Sequence, residues 1–261
     1  MRSIPLELRA LRAVSLRLPR WPKMLGVANH VIRGFYTRLP RPPATVNVMG
    51  HFMRLDPHQH VDGLYLFAPH LVDIAERAFL NRSLSPGGSF LDAGSYLGFY
   101  SLIVGPAVLP GGHIVCVEAD ADTRERLHTH LNRAGLPATT SPVPLTDHGG
   151  SVDLVCPDPS NLGSRRVTPG NNRPSETLPA LMDRLGIHRF DAVKTDLEGL
   201  DDAVVRHTIS TLPRARWPIA WVIETPPESG LAVFLAKHGY RTTRLSRLNL
   251  GASLDSIREA R

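Results

Sequence analysis

The chain has 261 residues, 42% of them hydrophobic and 21% charged, with a net charge of +6. These values are ordinary for a soluble globular protein and suit one α/β domain with additions. Two cysteines, Cys116 and Cys156, cannot make a disulfide scaffold, and no apolar run reaches the ~18 residues of a membrane span. Basicity is local. Residues 1–45 hold nine Arg or Lys against one acid, Glu7, which leaves the rest of the chain slightly acidic.

This basic arm (1–45) places Leu8, Leu11, Val14 and Leu18 near helical spacing, then breaks at Pro19 and Pro22. Arginines interrupt every apolar core that a signal peptide would need. The plainest reading is a cap helix or extension; a second is a basic amphipathic segment lying on an anionic membrane or an acidic partner. Trp21, Phe35 and Tyr36 form no stacking pattern, so nucleic acid is not an expected partner. The expected location is the cytoplasm, with contact at the membrane periphery if the second reading holds.

After Pro40–Ala44, Thr45–Leu55 alternates as a strand or short hairpin, and Leu64–Leu84 reads as helix up to the turn at Ser85–Gly88. From Ser89 the pattern is strand, helix, strand, helix. Strands are expected at 89–92, 113–118, 141–145, 151–156, 190–196, 219–224 and 240–245, and helices at 98–107, 122–134, 177–185, 201–212 and 231–238, with Asp122 or Thr123 capping the second. Residues 157–175, rich in Pro, Gly and Asn, read as a mobile loop over the active face. The fold class is therefore α/β: a doubly wound, Rossmann-like sheet, mostly parallel, with an N-terminal α/β extension. Ligands in such sheets bind beyond the carboxyl ends of the strands, where this chain has Asp92, Glu118, Asp147, Asp196 and Glu224.

The first strand runs into the turn FLDAGSYLGFYS, residues 90–101. Its D-x-G-x-x-x-G pattern has a carboxylate and two glycines where a dinucleotide fingerprint has three glycines under a pyrophosphate. That suits a cofactor with positive charge and no phosphate, such as S-adenosylmethionine. The expected cofactor set is Asp92, Gly94, Ser95, Tyr96 and Gly98 from this turn. Glu118 would accept from the ribose hydroxyls, with Ala119 beside it, and Asp147 would accept from the adenine amino group.

The densest chemistry is DAVKTDLEG, residues 191–199. Lys194, Asp196 and Glu198 recur at period two and share one face of an extended strand. Three ionisable groups on a buried strand are costly unless paired or functional. The alternative to catalysis is a self-neutralised ion-pair cluster. Asp196 and Glu198 could also host a magnesium ion, although no metal is expected. The pairs His58/His60 and His128/His130 lack the companions a metal site needs.

Together FLDAGSYLGFYSL, HIVCVEAD, LTDHGGSVDL, the K-x-D-x-E-G block, AWVIE and HGYRTTRL resemble, in order, the motifs of the FkbM family of class I S-adenosylmethionine-dependent methyltransferases. The resemblance runs from about Val46 to Leu245. It implies a seven-stranded sheet and division into the arm, a cap at 46–85, the methyltransferase domain at 86–245 and a tail at 246–261. It also implies that Glu76 reaches the cofactor's methionine end. The chain departs from the family at Ser95, Tyr96 and Ala119. The implied activity is O-methyl transfer to a hydroxyl of a sugar or natural-product-like small molecule. Asp196 would then be the base, Lys194 would set its charge and Glu198 would orient the acceptor. Two rival readings stay open: a catalytically silent S-adenosyl- or nucleotide-binding regulator of the same fold, and a nicotinamide oxidoreductase disfavoured by the missing third glycine. Oligomeric state leaves no trace in the sequence.

Overall fold

A computed structural model describes residues 5–21, 24–34, 37 and 42–254. The chain forms two compact units: residues 1–74 with 156–165, and residues 75–155 with 166–261.

The first unit holds helix α1 (Leu6–Ser15), helix α2 (Met24–Val27) running into a π-turn, a hairpin of β1 (Ala44–Val48) and β2 (His51–Leu55), and α3 (His60–Phe67). The hairpin turns through Met49 and Gly50, both at positive φ, as the tightest two-residue turns require. Arg12 fastens α1 in place: its Nε donates to Leu66 O and its Nη2 to Asn47 O, each at 2.7 Å. The helix read at 64–84 is broken, because Pro69 ends α3 and a new helix, α4 (Ile74–Ser83), begins later.

The second unit is a seven-stranded sheet. Its strands are β3 (Ser89–Ala93), β4 (His113–Val117), β5 (Ala138–Ser141), β9 (Ala192–Thr195), β10 (Ala220–Glu224), β11 (Tyr240–Arg244) and β12 (Asn249–Leu254). The order across the sheet is β5-β4-β3-β9-β10-β12-β11, and β12 alone runs antiparallel to its neighbours. Helices α5 (Phe99–Ile103), α6 (Ala121–Ala134), α7 (Leu178–Leu185), α8 (Asp201–Thr211) and α9 (Leu231–Lys237) connect the strands. Trp221, Phe190, Leu91, Val193 and Leu235 belong to the core on one face. The fold is thus the expected α/β doubly wound sheet. Among the described residues no helix is long and apolar enough to cross a membrane.

Several boundaries differ from those read in the sequence. The tail contributes β12, whose small residues (NLGASL) lack the branched, alternating pattern of a strand yet are enclosed between two neighbours. The third strand lies at 138–141 and not at 141–145. Asp120, two residues ahead of the expected Asp122, caps α6 by accepting from Thr123 N at 2.9 Å. Part of the predicted loop at 157–175 forms β7 (Arg166–Pro169) and β8 (Arg173–Ser175), which flank β6 (Gly150–Val155) in a separate three-stranded sheet.

The chain winds outward through β3, β4 and β5, then returns to lay β9 against the other side of β3. That reversal opens a crevice at the carboxyl ends of β3 and β9. The two strands come so close there that a Cβ on Gly94 (φ +75°) would overlap the carbonyl oxygen of Asp196. Gly94→Ala is expected to cost about 3 kcal/mol or more in urea denaturation. Gly186→Ala, at φ +66° in open space, should cost only about 1–2 kcal/mol, the backbone contribution alone.

Candidate functional site

The turn after β3 is built from its own polar groups. Gly94 N and Ser95 N both donate to Val117 O at 3.0 Å, and Ser95 Oγ donates to Asp92 O at 2.6 Å. Tyr96 adopts φ +49°, and its N–H donates to Glu118 Oε2 at 3.0 Å, while Oε1 accepts from Asp120 N at 2.8 Å. The acid closing β4 therefore ties down the loop that leaves β3, and it stays half-buried at the crevice. Beside it, Ala119 O accepts from Arg124 and from Arg173, at 3.2 and 2.8 Å.

Not every residue expected at the cofactor faces the crevice. Asp92 is enclosed within β3: Oδ2 accepts from Ser101 N and Oγ at 3.1 and 2.6 Å, and Oδ1 has no partner. Burial raises its pKa, against Lys194 and Ser101, which lower it. Ser95 is buried and its hydroxyl committed to the turn. Gly98 sits at φ +80°, a left-handed conformation that favours glycine, and an added side chain would also press on the end of Leu127. Glu76 is buried, with Oε1 accepting from Asn249 Nδ2 at 3.0 Å. Asp147 lies in a turn six residues past β5, bound to His148 Nδ1 at 2.6 Å, and that hydrogen bond lowers its pKa. Cys116 is a free thiol beneath the turn; burial and nearby Asp92 push it up to about 12.

The K-x-D-x-E-G block is more concentrated than its sequence suggested. In register, Asp92 stands opposite Lys194 on β9. Lys194 Nζ lies 3.1 Å from Asp196 Oδ2, 3.4 Å from Gly94 O and 5.1 Å over the Tyr100 ring. Its side chain is 7% exposed, whereas that of Asp196 is 42% exposed. Burial would discharge the amine, but the carboxylates of Asp196 and Asp92 more than offset it and hold the ammonium above the ordinary lysine range.

Asp196 has a second partner in Glu224, the last residue of neighbouring β10. Burial works against ionisation of both acids. Lys194 and the hydrogen bond from Glu224 nonetheless hold Asp196 below the carboxylate range, while burial and the Asp196 charge drive Glu224 well above it. The pair shares one proton, with Glu224 donating. Glu198 sits at φ +52° and is exposed; partial burial and the charges of Asp196 and Asp201 lift it to about 7. A non-glycine residue in that region is strained, and such strain gathers at functional turns.

Sequence reasoning missed three residues. Asp201 is buried at the start of α8 and accepts from Leu197 N through both oxygens, at 3.1 Å each, which fixes the 196–200 turn; burial raises it to about 6. An acid in the first helical turn right after the K-x-D-x-E-G block was the available signal. Ser101 and Tyr100, at the end of the FLDAGSYLGFYS stretch, secure Asp92 and Lys194 from α5; no spacing in that stretch singles them out.

No family model and no curated protein matches this chain. Solved structures do resemble it, 190 chains in all. One is a precorrin-6y C5,15-methyltransferase from Geobacter metallireducens GS-15, at 13% identity and TM-score 0.43 over 69% of this chain and 86% of that one. Another is an S-adenosylmethionine-dependent methyltransferase from Aquifex aeolicus, at 14% identity and TM-score 0.39 over 69% and 87%. A third is the Pyrococcus abyssi tRNA (uracil-54, C5)-methyltransferase in complex with S-adenosyl-L-homocysteine, at 12% identity and TM-score 0.45 over 83% and 45%. The roles of residues in this chain rest on its own geometry.

Among the described residues, Lys194 is the one cation bonded inside this group of acids. Lys194→Met is expected to destabilise the protein by about 3–5 kcal/mol at pH 7, because it leaves buried carboxylate unpaired. The loss should shrink at pH 5, where Glu198 and Asp201, with values near 7 and 6, take up protons and the missing cation matters less. Denaturant melts at the two pH values measure both effects.

Proposed function

We propose that this chain is an S-adenosylmethionine-dependent methyltransferase acting on a hydroxyl group of a small molecule. One observation carries the reading: a single ammonium, Lys194 Nζ, bonds both the turn after β3 and the acid turn after β9. A cofactor-type turn and a proton-accepting group thereby stand together at the switch point of the sheet. The order of sequence motifs supports the narrower placement with the FkbM enzymes.

The residues at the crevice fit this cofactor. The Glu118 carboxylate, held between two backbone amides at the crevice mouth, suits a ribose diol, and the acids around β9 suit a cationic donor. When bound, the cofactor would supply an electrophilic methyl group for the acceptor oxygen and would be left as a neutral thioether, while a carboxylate of this chain would take the acceptor's proton.

The protein's task is to align the acceptor and take its proton. A base works best with a pKa near the working pH. Glu198 meets that condition and is exposed, whereas Asp196 is held ionised by Lys194 and Glu224. We therefore assign proton acceptance to Glu198 and acceptor orientation to Asp196, the reverse of the roles that the family resemblance implied. Lys194 fixes the charge and position of Asp196.

Calorimetric titration with S-adenosylhomocysteine, S-adenosylmethionine and NAD tests the cofactor. The first two should bind and NAD should not; binding by NAD alone would sink the proposal. An acceptor screen should then give methyl transfer to hydroxylated small molecules, and transfer only to RNA would overturn the acceptor class.

With an acceptor in hand, kcat/KM is expected to rise with pH to a plateau above about 7, since Glu198 acts only when deprotonated. Glu198→Gln should abolish that rise and cost roughly 10²–10⁴ in rate. Asp196→Asn, with wild-type pH dependence retained, should raise KM; a lost pH limb in that variant instead would return the base to Asp196.

A further inference from the structure

Helix α1 is apolar on two sides. One side, carrying Leu8 and Ser15, is buried, and Arg12 clamps it to the backbone of the hairpin and α3. The opposite side is not the polar face that a surface helix ordinarily turns to water. Leu6, Ala10, Ala13 and Val14 fall within about a quarter-turn of one another at 100° per residue, and all four are exposed, Leu6 at 79% and Val14 at 62%. Just past the helix, Leu16 and Trp21 are exposed at 42% and 69%.

Cations border this apolar strip. Arg9, Arg17 and Arg20 are all exposed, and among the described residues none of them has an ion-pair partner. Glu7 is the single acid of the segment. Exposed Leu and Val, an indole at the end and unpaired guanidinium groups on the flanks make a surface matched to the boundary between acyl chains and anionic headgroups. An acidic protein groove would match the charge but would leave no reason for Trp21 to stand in water. A neutral bilayer would match the apolar strip and leave the arginines idle.

We propose that the outer face of α1, continued through Trp21, docks the protein on an anionic lipid surface. The helix lies in the interfacial plane with Leu6, Val14 and Trp21 inserted, while Arg9, Arg17 and Arg20 pair with phosphate headgroups. The buried side keeps its place in the protein, so docking needs no unfolding.

Co-sedimentation of the full chain with phosphatidylglycerol–phosphatidylcholine vesicles, and with pure phosphatidylcholine vesicles, tests the proposal at low and high salt. Binding is expected to the anionic vesicles and to weaken with salt. The variant R9Q/R17Q/R20Q should lose affinity on the order of a hundredfold, and L6S/V14S/W21S about tenfold or more. Both variants should keep the wild-type melting temperature and S-adenosylhomocysteine affinity, because the altered side chains are exposed in the first unit. Three results overturn the proposal: no binding to anionic vesicles, equal binding to neutral ones, or binding undiminished in either variant. A wild-type dimer that L6S/V14S/W21S dissociates, with no vesicle binding, would assign the strip to a second copy instead.

Discussion

A buried ammonium organises the crevice. Lys194 Nζ has little access to water, so its charge persists only because acids and a carbonyl surround it. Those partners come from two neighbouring strands and the turns that follow them: Asp92 on β3, Gly94 in its turn, and Asp196 beyond β9. The tertiary arrangement and the electrostatics are thus one constraint. The ammonium holds Asp196 ionised, and that ionised carboxylate draws a proton onto Glu224 and contributes to the raised values of Glu198 and Asp201. One cation among several acids spreads their proton affinities from low to high within a few residues. Acid–base chemistry requires that kind of spread.

The backbone contributes through two non-glycine residues at positive φ on either side of the crevice, Tyr96 and Glu198. Each is held by a neighbouring carboxylate. Glu118 accepts from the Tyr96 amide itself, whereas Asp201 accepts from Leu197, just ahead of Glu198. Backbone strain survives only where surroundings over-determine it, and here both sets of surroundings are carboxylates anchored at element ends. Two of the turns that would meet a ligand are therefore stiff before any ligand arrives.

The alternation of strand and helix made the class of the fold legible, since buried parallel strands such as IVCV and AWVI have a compositional signature. Local composition could not reveal strands that take their identity from their neighbours. NLGASL becomes β12 because β10 and β11 leave a gap in the sheet for it. Arg166–Pro169 becomes β7 by pairing with β6. Among site residues, Lys194, Asp196 and Glu198 stood out because charge at period two on a strand is conspicuous. Their relative proton affinities were hidden, since these depend on Glu224 and Asp201 from other elements. Asp92 was legible as an acid at a strand end, but its burial and its bonds to Ser101, nine residues on, were not.

The overlap between Gly94 and the carbonyl of Asp196 also limits how this site can diversify. In many enzymes the loops that bind a common cofactor and those that select a substrate can drift separately. Here a methyl group added to the first loop would displace the backbone of the second, and any shift of the 196–200 turn toward β3 would meet the same wall. Under the proposed function, substitutions that reshape acceptor preference enter through side chains on a fixed main chain, or arrive paired with a change across the crevice. On that reading, variation in acceptor choice accumulates at side chains such as Leu197 and Glu198, while the path of the main chain between them stays the same.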